Sequence, residues 1–343
     1  MNVPNFGKAK LTMKNFVLLP LLVCLLVSCA VESHAAETQT RFPLVYGAMS
    51  GNTVPLWLAK EQGFFRKYGL DPQLIFIIAG RAAQAMLSGE INIGVIGATH
   101  VTNAVTSGGD MTMLLGLETK LDYFLVVHPS IQSAEGLKGT KVAIGTPSGT
   151  ASLAAYVGLD YLGLVPRRDN ITLMGVGAPT DRLAALLAGG VDAISVSPEV
   201  AQVATNQGYR VLLDLAKENV PFQSAGLVTS RKFMRSNPQF VENVARAIVE
   251  GVAFARNPAN KKAVLQSLAK NLRLDKPDIL EKSYQRVDGL PLKPCPNLQG
   301  VASVLKLLVQ HGLNLKAAQL KTEDIVDMRL CKKFDESGFM DRL

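Results

Sequence analysis

Aromatic residues are scarce, at 6% of 343 residues with Trp57 the single tryptophan, which excludes the stacking platforms of single-strand nucleic-acid binders. No Lys/Arg run exceeds two residues, so the formal net charge of +8 is spread thinly and gives no nucleic-acid footprint. The cysteines are Cys24, Cys29, Cys295 and Cys331, none in a Cys-x-x-Cys pair, which excludes a zinc ribbon and a disulfide-built scaffold. No apolar run reaches the roughly 18 residues of a membrane-spanning helix. Gly-x-Ser-x-Gly, His-Glu-x-x-His and the glycine-rich phosphate loop are all missing, and Gly175-Val-Gly177 lacks the third glycine of a dinucleotide fingerprint. Beyond residue 35 the histidines are His100, His128 and His311, too scattered for a metal site or a triad. No catalytic residue, metal or cofactor is therefore expected, and no enzymatic activity.

What the N-terminus holds is an address. Lys8, Lys10 and Lys14 precede an apolar stretch from Phe16 to Val27, the order of a secretory signal over residues 1–35. Two processing readings stand side by side. Ser33-His34-Ala35 offers a cleavage site before Ala36, whereas Leu26-Val27-Ser28-Cys29 resembles a bacterial lipobox that would leave a lipid anchor at Cys29. Removing Lys8, Lys10, Lys14 and Glu32 leaves 33 basic and 27 acidic residues, a net +6. Export places the mature chain in the periplasm, where Cys295 and Cys331 meet oxidising conditions. Their spacing leaves both two free thiols and a disulfide open.

From Phe42 the chain alternates short apolar strands with helices. Strands are read at Leu44–Ala48, Gln73–Ile78, Ile91–Ile96, Met111–Leu117 and Tyr123–Val127, with helices at Val54–Tyr68, Arg81–Leu87 and Val101–Thr106. A second series begins at Lys141–Ile144 and runs through Ile171–Met174, Ala193–Val196 and Val211–Leu213 with helices between. Such alternation argues a largely parallel sheet covered on both faces, and two series argue two α/β lobes. After Gly226–Ser230 the pattern is nearly pure helix, with Val241, Val244, Ala245, Ile248 and Val252 marking one buried face.

Small-residue turns end these strands and open helices: Met49–Asn52, Ala79-Gly80, Gly97–His100, Thr146–Thr150, Gly177–Thr180 and Ser197-Pro198. In open α/β sheets ligands bind beyond the carboxyl ends of the strands. Small residues let helix-start N–H groups approach a ligand, and the helix dipole favours an anion there. Six turns in two series point to a cleft between the lobes.

The segment Pro55–Asp71 (PLWLAKEQGFFRKYGLD), followed by Ala79-Gly80 and Gln84–Gly94, resembles the first lobe of the nitrate/sulfonate/taurine-type solute-binding proteins of ABC importers. Leu137–Ala143 and Leu186–Ala193 are similar to the second lobe in the same order. The resemblance, which extends to thiamine-precursor binders, implies the type II periplasmic binding protein fold: two α/β lobes, a ligand cleft and a helical C-terminal part. It divides the chain into 42–127 (lobe 1), 128–226 (lobe 2) and 227–343 (return to lobe 1 plus C-terminal helices). It implies capture of a small organic or oxyanionic solute and delivery to a membrane permease by a monomer. A ligand-sensing subunit of a receptor is the rival role, and a secreted enzyme on the same fold a third.

On the residues that match the family's loops, ligand contacts are expected from Ser50, Gly51 and Asn52, from Gly80, and from Gly97, Ala98, Thr99 and His100. Thr146, Ser148, Gly149 and Thr150 make the best anion site, and Ser197 closes the far side. Ser50–Asn52 and His100 have an alternative use as helix caps. Arg81 and Arg182 lie in amphipathic helices and read as solvated; Trp57 reads as helix-to-sheet packing. Where sulfonate-binding relatives carry acidic or aromatic residues, Ala98 and Ser197 are small, leaving room for a bulkier or less charged ligand.

Overall fold

The computed structural model describes residues 1–2 and 39–343. The residues of the expected signal, of the expected cleavage site before Ala36 and of the alternative anchor at Cys29 lie outside the described residues.

Among the described residues ten strands form two sheets. The first holds β1 (Thr40–Tyr46), β2 (Leu70–Phe76), β3 (Ile93–Gly97), β4 (Met111–Met113) and β10 (Ala225–Ser230) in the order β2-β1-β3-β10-β4. The second holds β5 (Phe124–Val127), β6 (Lys141–Ile144), β7 (Thr172–Gly175), β8 (Ala193–Val196) and β9 (Arg210–Asp214) in the order β7-β6-β8-β5-β9. In each sheet three strands are parallel neighbours, and one strand, β10 or β5, runs antiparallel between two others. The two sheets thus repeat one topology.

Three readings change at this level. The strand at the end of the sequence's first lobe, Phe124–Val127, pairs with β8 and β9 and so belongs to the second sheet. The expected strand Met111–Leu117 ends at Met113, and residues 114–123 become a crossing between sheets. A second crossing, 215–224, returns the chain to β10, and the two are bonded to each other: Ser224 N–H donates to Glu118 O at 2.8 Å, and Lys120 bridges Pro221. The helix read as Val54–Tyr68 breaks at Gly63, whose φ of +79° an L side chain adopts only with strain.

Apolar spacing explains the helical layer. In the helix Pro238–Arg256 the five positions Val241, Val244, Ala245, Ile248 and Val252 are all fully buried. The last four join Leu56, Trp57 and Leu58 of the helix Val54–Glu61 in one core cluster, while Val241 packs with Leu114 and Met234. Each large aliphatic side chain so buried contributes about 1.5–3 kcal/mol. Asn237 caps this helix without a side-chain bond to it, and Pro238 occupies its first turn. The two helices approach closely at Gly251, where a Cβ would stand 2.2 Å from Pro55 O. Gly251→Ala is therefore expected to destabilise by about 1–3 kcal/mol, although alanine is the better helix former. Urea unfolding would measure it, and an equal or raised midpoint would refute the close approach.

Cys295 and Cys331 are bonded, with Cα atoms 5.5 Å apart, which resolves the pairing that spacing leaves open. Among the described residues no helix is long and apolar enough to cross a membrane.

Candidate functional site

The parallel strands of both sheets end at one cavity of about 130 Å³. Turns after β1, β2 and β3 supply Gly47–Ser50, Ile78–Gly80, Gly97 and His100; turns after β6, β7 and β8 supply Thr146, Gly149, Gly177 and Ser197. The helices beginning at Ala79, Ala98, Thr150, Pro179 and Pro198 start at this cavity, and in none does the N-cap residue's own side chain bond the helix. The first N–H groups of the helices at Ala79 and Thr150 have no partner inside the helix and give the cavity wall backbone donors, whereas Pro179 and Pro198 bring none and Ala98 N–H is taken by Ser224 O. Ser50 does stand at the N-cap of the short helix Gly51–Thr53, whose Thr53 N–H donates to its carbonyl at 3.0 Å, but its side chain makes no cap bond.

Of the thirteen residues expected at the ligand, the structure brings nine to the cavity: Ser50, Asn52, Gly80, Gly97, His100, Thr146, Gly149, Thr150 and Ser197. Gly51, Ala98, Thr99 and Ser148 stand behind it, each held by another part of the protein. Gly51 N–H donates to Glu199 Oε1 at 2.8 Å, and Ala98 N–H donates to Ser224 O at 3.1 Å. Thr99 Oγ1 lies 3.1 Å from Thr150 Oγ1, and Ser148 Oγ accepts from Asn103 Nδ2 at 2.8 Å. The bonds of Gly51, Thr99 and Ser148 join elements that follow one sheet to elements that follow the other, whereas that of Ala98 continues the β3·β10 ladder within the first sheet, so three of the small residues hold the cleft together behind its lining.

His100 is buried, and burial pulls its pKa down to about 4. Its imidazole is neutral at ordinary pH and offers one donor and one acceptor. The ring lies 3.4 Å from where a Cβ of Gly149 would stand, so the small residue across the cleft admits it. Trp57 is 1% exposed and packs edge-on to Tyr46 with centroids 6.0 Å apart, which agrees with its reading as a packing residue. Arg81 is exposed, as expected, but Arg182 is 3% exposed and lines the cavity.

The polar residues that sequence reasoning missed come from distant parts of the chain. Glu118 and Tyr123 lie on the first crossing, Glu199 in the helix Pro198–Thr205, and Arg286 after the helix Pro277–Gln285. Arg286 is 5% exposed and faces three carboxylates: Glu118 at 3.0 Å, Asp122 at 2.9 Å and Glu199 at 3.3 Å. Glu118 also accepts from Asn52 Nδ2 at 2.7 Å. Burial, with Asp122 and Glu199 adding to it, pushes Glu118 up to about 7 against the pull of Arg286. Asp122 is raised for the same first reason. Tyr123 is pushed up to about 12 by burial and stays a neutral phenol beside them. Among the described residues no group of three or more His, Cys, Asp or Glu is placed to hold a metal ion.

The family model described as NMT1/THI5-like matches residues 50–261. Solved structures share the architecture. A protein of Bordetella bronchiseptica superposes with a TM-score of 0.75 at 20% identity, over 88% of this chain and 98% of that one. The alkanesulfonate-binding protein SsuA of Xanthomonas axonopodis, bound to MOPS, gives 0.66 at 19%, over 80% and 93%. The periplasmic nitrate-binding protein NrtA of Synechocystis gives 0.70 at 16%, over 87% and 89%. No curated protein sequence matches the chain. At these identities the shared property is the fold, which is that of periplasmic binding proteins.

Proposed function

The chain belongs to the NMT1/THI5-like family, and on that premise we propose that it is an extracytoplasmic solute-binding protein serving an ABC importer. It captures a small organic or oxyanionic solute in the cleft and delivers it to the permease, without chemistry of its own. The observation that carries this reading is the convergence of helix starts from both sheets on one cavity. Such a wall binds through fixed backbone dipoles. The two sheets act as lobes, roughly 124–214 against the rest, and the crossings 114–123 and 215–224 flex when the cleft closes. Export and processing, at Ala36 or at Cys29, belong to the same proposal.

The test is a thermal-shift screen of the mature chain beginning at Ala36. The panel holds nitrate, sulfonates, taurine, hydroxymethylpyrimidines and aromatic carboxylates. A solute at 100 times its dissociation constant adds about 2.7 kcal/mol, enough to raise the melting temperature by several degrees. One chemical class is expected to shift the transition and to be recovered unchanged. Recovery of an altered molecule would make the chain an enzyme instead.

A further inference from the structure

The charges of the cavity wall do not balance evenly. Arg286 is met by three carboxylates, and His100 is neutral. Arg182 stands apart. It is the fourth residue of the helix Pro179–Leu187, is 3% exposed, and lines the cavity. Its Nη1 donates to Gly177 O and lies 3.4 Å from where a Cβ of Gly145 would stand. Its Nε is buried without a hydrogen-bond partner. Among the described residues no carboxylate comes within ion-pair distance of it. The adjacent Asp181 is turned to the helix start, where its Oδ2 accepts from Ala178 N–H at 3.3 Å.

A buried guanidinium without a counterion is costly, which is why such groups are almost always paired. Here burial lowers its basicity, with only Tyr123 and Asp181 acting in the other sense. One carbonyl oxygen does not compensate a whole charge. The missing partner fits the cavity that Arg182 lines. On the other side of that cavity β1 and β2 end in Tyr46 and Phe76, ring centroids 5.7 Å apart. Phe76 is 40% exposed and Ile78 continues the apolar wall toward the mouth.

Resting on the solute-binding reading, we propose that Arg182 is the specificity-determining residue of the cleft. It pairs with the acidic group of an organic monoanion, a carboxylate or a sulfonate, whose apolar body rests on Tyr46 and Phe76. The small side chain at Ser197 leaves space for that body, while the charge of the solute is required by Arg182. An inorganic anion such as nitrate meets Arg182 and leaves the aromatic wall wet. A neutral solute leaves the guanidinium unpaired.

Calorimetric titration of the mature chain with benzoate, benzenesulfonate, benzamide, benzylamine and nitrate tests this, in the wild type and in Arg182→Met and Arg182→Lys. Benzoate or benzenesulfonate is expected to bind at least about 30-fold more tightly than benzamide, the scale of a desolvated charge pair. Which of the two binds better separates carboxylate from sulfonate. Arg182→Met brings the anion down to the level of benzamide, and Arg182→Lys restores part of the difference. The unliganded Arg182→Met protein melts at or above the wild-type temperature, because an unpaired buried charge has gone; a structural arginine would show the opposite. Equal binding of benzamide or benzylamine, or undiminished anion binding by Arg182→Met, overturns the role of Arg182 and leaves the solute-binding reading intact. Nitrate binding as tightly as benzoate removes the apolar body from the proposal. Failure of every probe, whatever its charge, counts against the solute-binding reading itself.

Discussion

Arg286→Met is expected to lower the stability of the folded chain by about 3–5 kcal/mol at pH 8 and by much less at pH 5. The substitution keeps most of the volume and removes the one cation that faces Glu118, Asp122 and Glu199. Three carboxylates then remain, Glu199 buried and Glu118 and Asp122 largely so, and removal of one partner from a buried ionic group is worse than never having built it. Glu118 already takes up a proton near pH 7, because burial and its acidic neighbours outweigh Arg286. Without Arg286 that balance moves further toward the acid form, so lowering the pH relieves the variant more than the wild type.

The wild type carries the same sign in weaker form. The folded pKa of Glu118 lies above its unfolded value of 4.5. The stability it contributes is complete below pH 4.5 and is lost as pH rises through 7. Glu118→Gln should therefore flatten that part of the pH dependence and leave the protein at least as stable as wild type at pH 8. Its amide oxygen can still accept from Asn52, as the carboxylate does at 2.7 Å. Chemical unfolding of the three proteins at pH 5 and pH 8 measures all of this. A loss for Arg286→Met that is equal at both pH values would mean that packing, not charge, is what Arg286 supplies.

Arg286 also shows where sequence reasoning stops. The alternation of strands and helices is local, and so is the chemistry of the turns that end them. Small residues after β1, β3 and β6 can therefore be read without knowing what they face. The family resemblance follows from the same stretches. Sheet membership is not local: Phe124–Val127 has the composition of any buried strand, and its pairing with β8 and β9 is decided by residues about 70 to 90 positions on. Within a turn, the residue that reaches the cavity depends on the opposite lobe. Ser148 looks as suitable as Thr150, yet Asn103 takes its hydroxyl. Arg182 follows Thr180 and Asp181 in a helix that is amphipathic by its own pattern, and the sequence gives no mark that distinguishes it from a solvated arginine. Glu118 and Arg286 are 168 positions apart, a separation at which no spacing rule operates.

Loss of the Cys295–Cys331 bond is the second large effect, expected at about 4 kcal/mol from the chain entropy of a loop of this size. The two residues are 36 positions apart, and the loop they close contains the helix Leu298–Gln310 and everything up to Arg329–Glu336. Other ties between these segments are weak. Lys293 reaches Asp335 and Asp341 in half-exposed ion pairs that contribute little in water. At its first end the bond sits beside both crossings: Gly116 N–H donates to Pro294 O at 3.0 Å, and Asn297 N–H donates to Gln223 Oε1 at 2.8 Å. Cys295→Ser/Cys331→Ser and dithiothreitol-treated wild type should show the same lowered urea midpoint, with the difference between oxidised and reduced wild type vanishing in the double variant. Solute affinity at 25 °C should change little, since neither cysteine lines the cavity. A fall in affinity that parallels the fall in stability would instead mean that the staple also sets the resting angle of the crossings. The same measurement bears on compartment: the chain beginning at Ala36, made without export, should carry two titratable thiols and the lower midpoint, and oxidation in vitro should raise it.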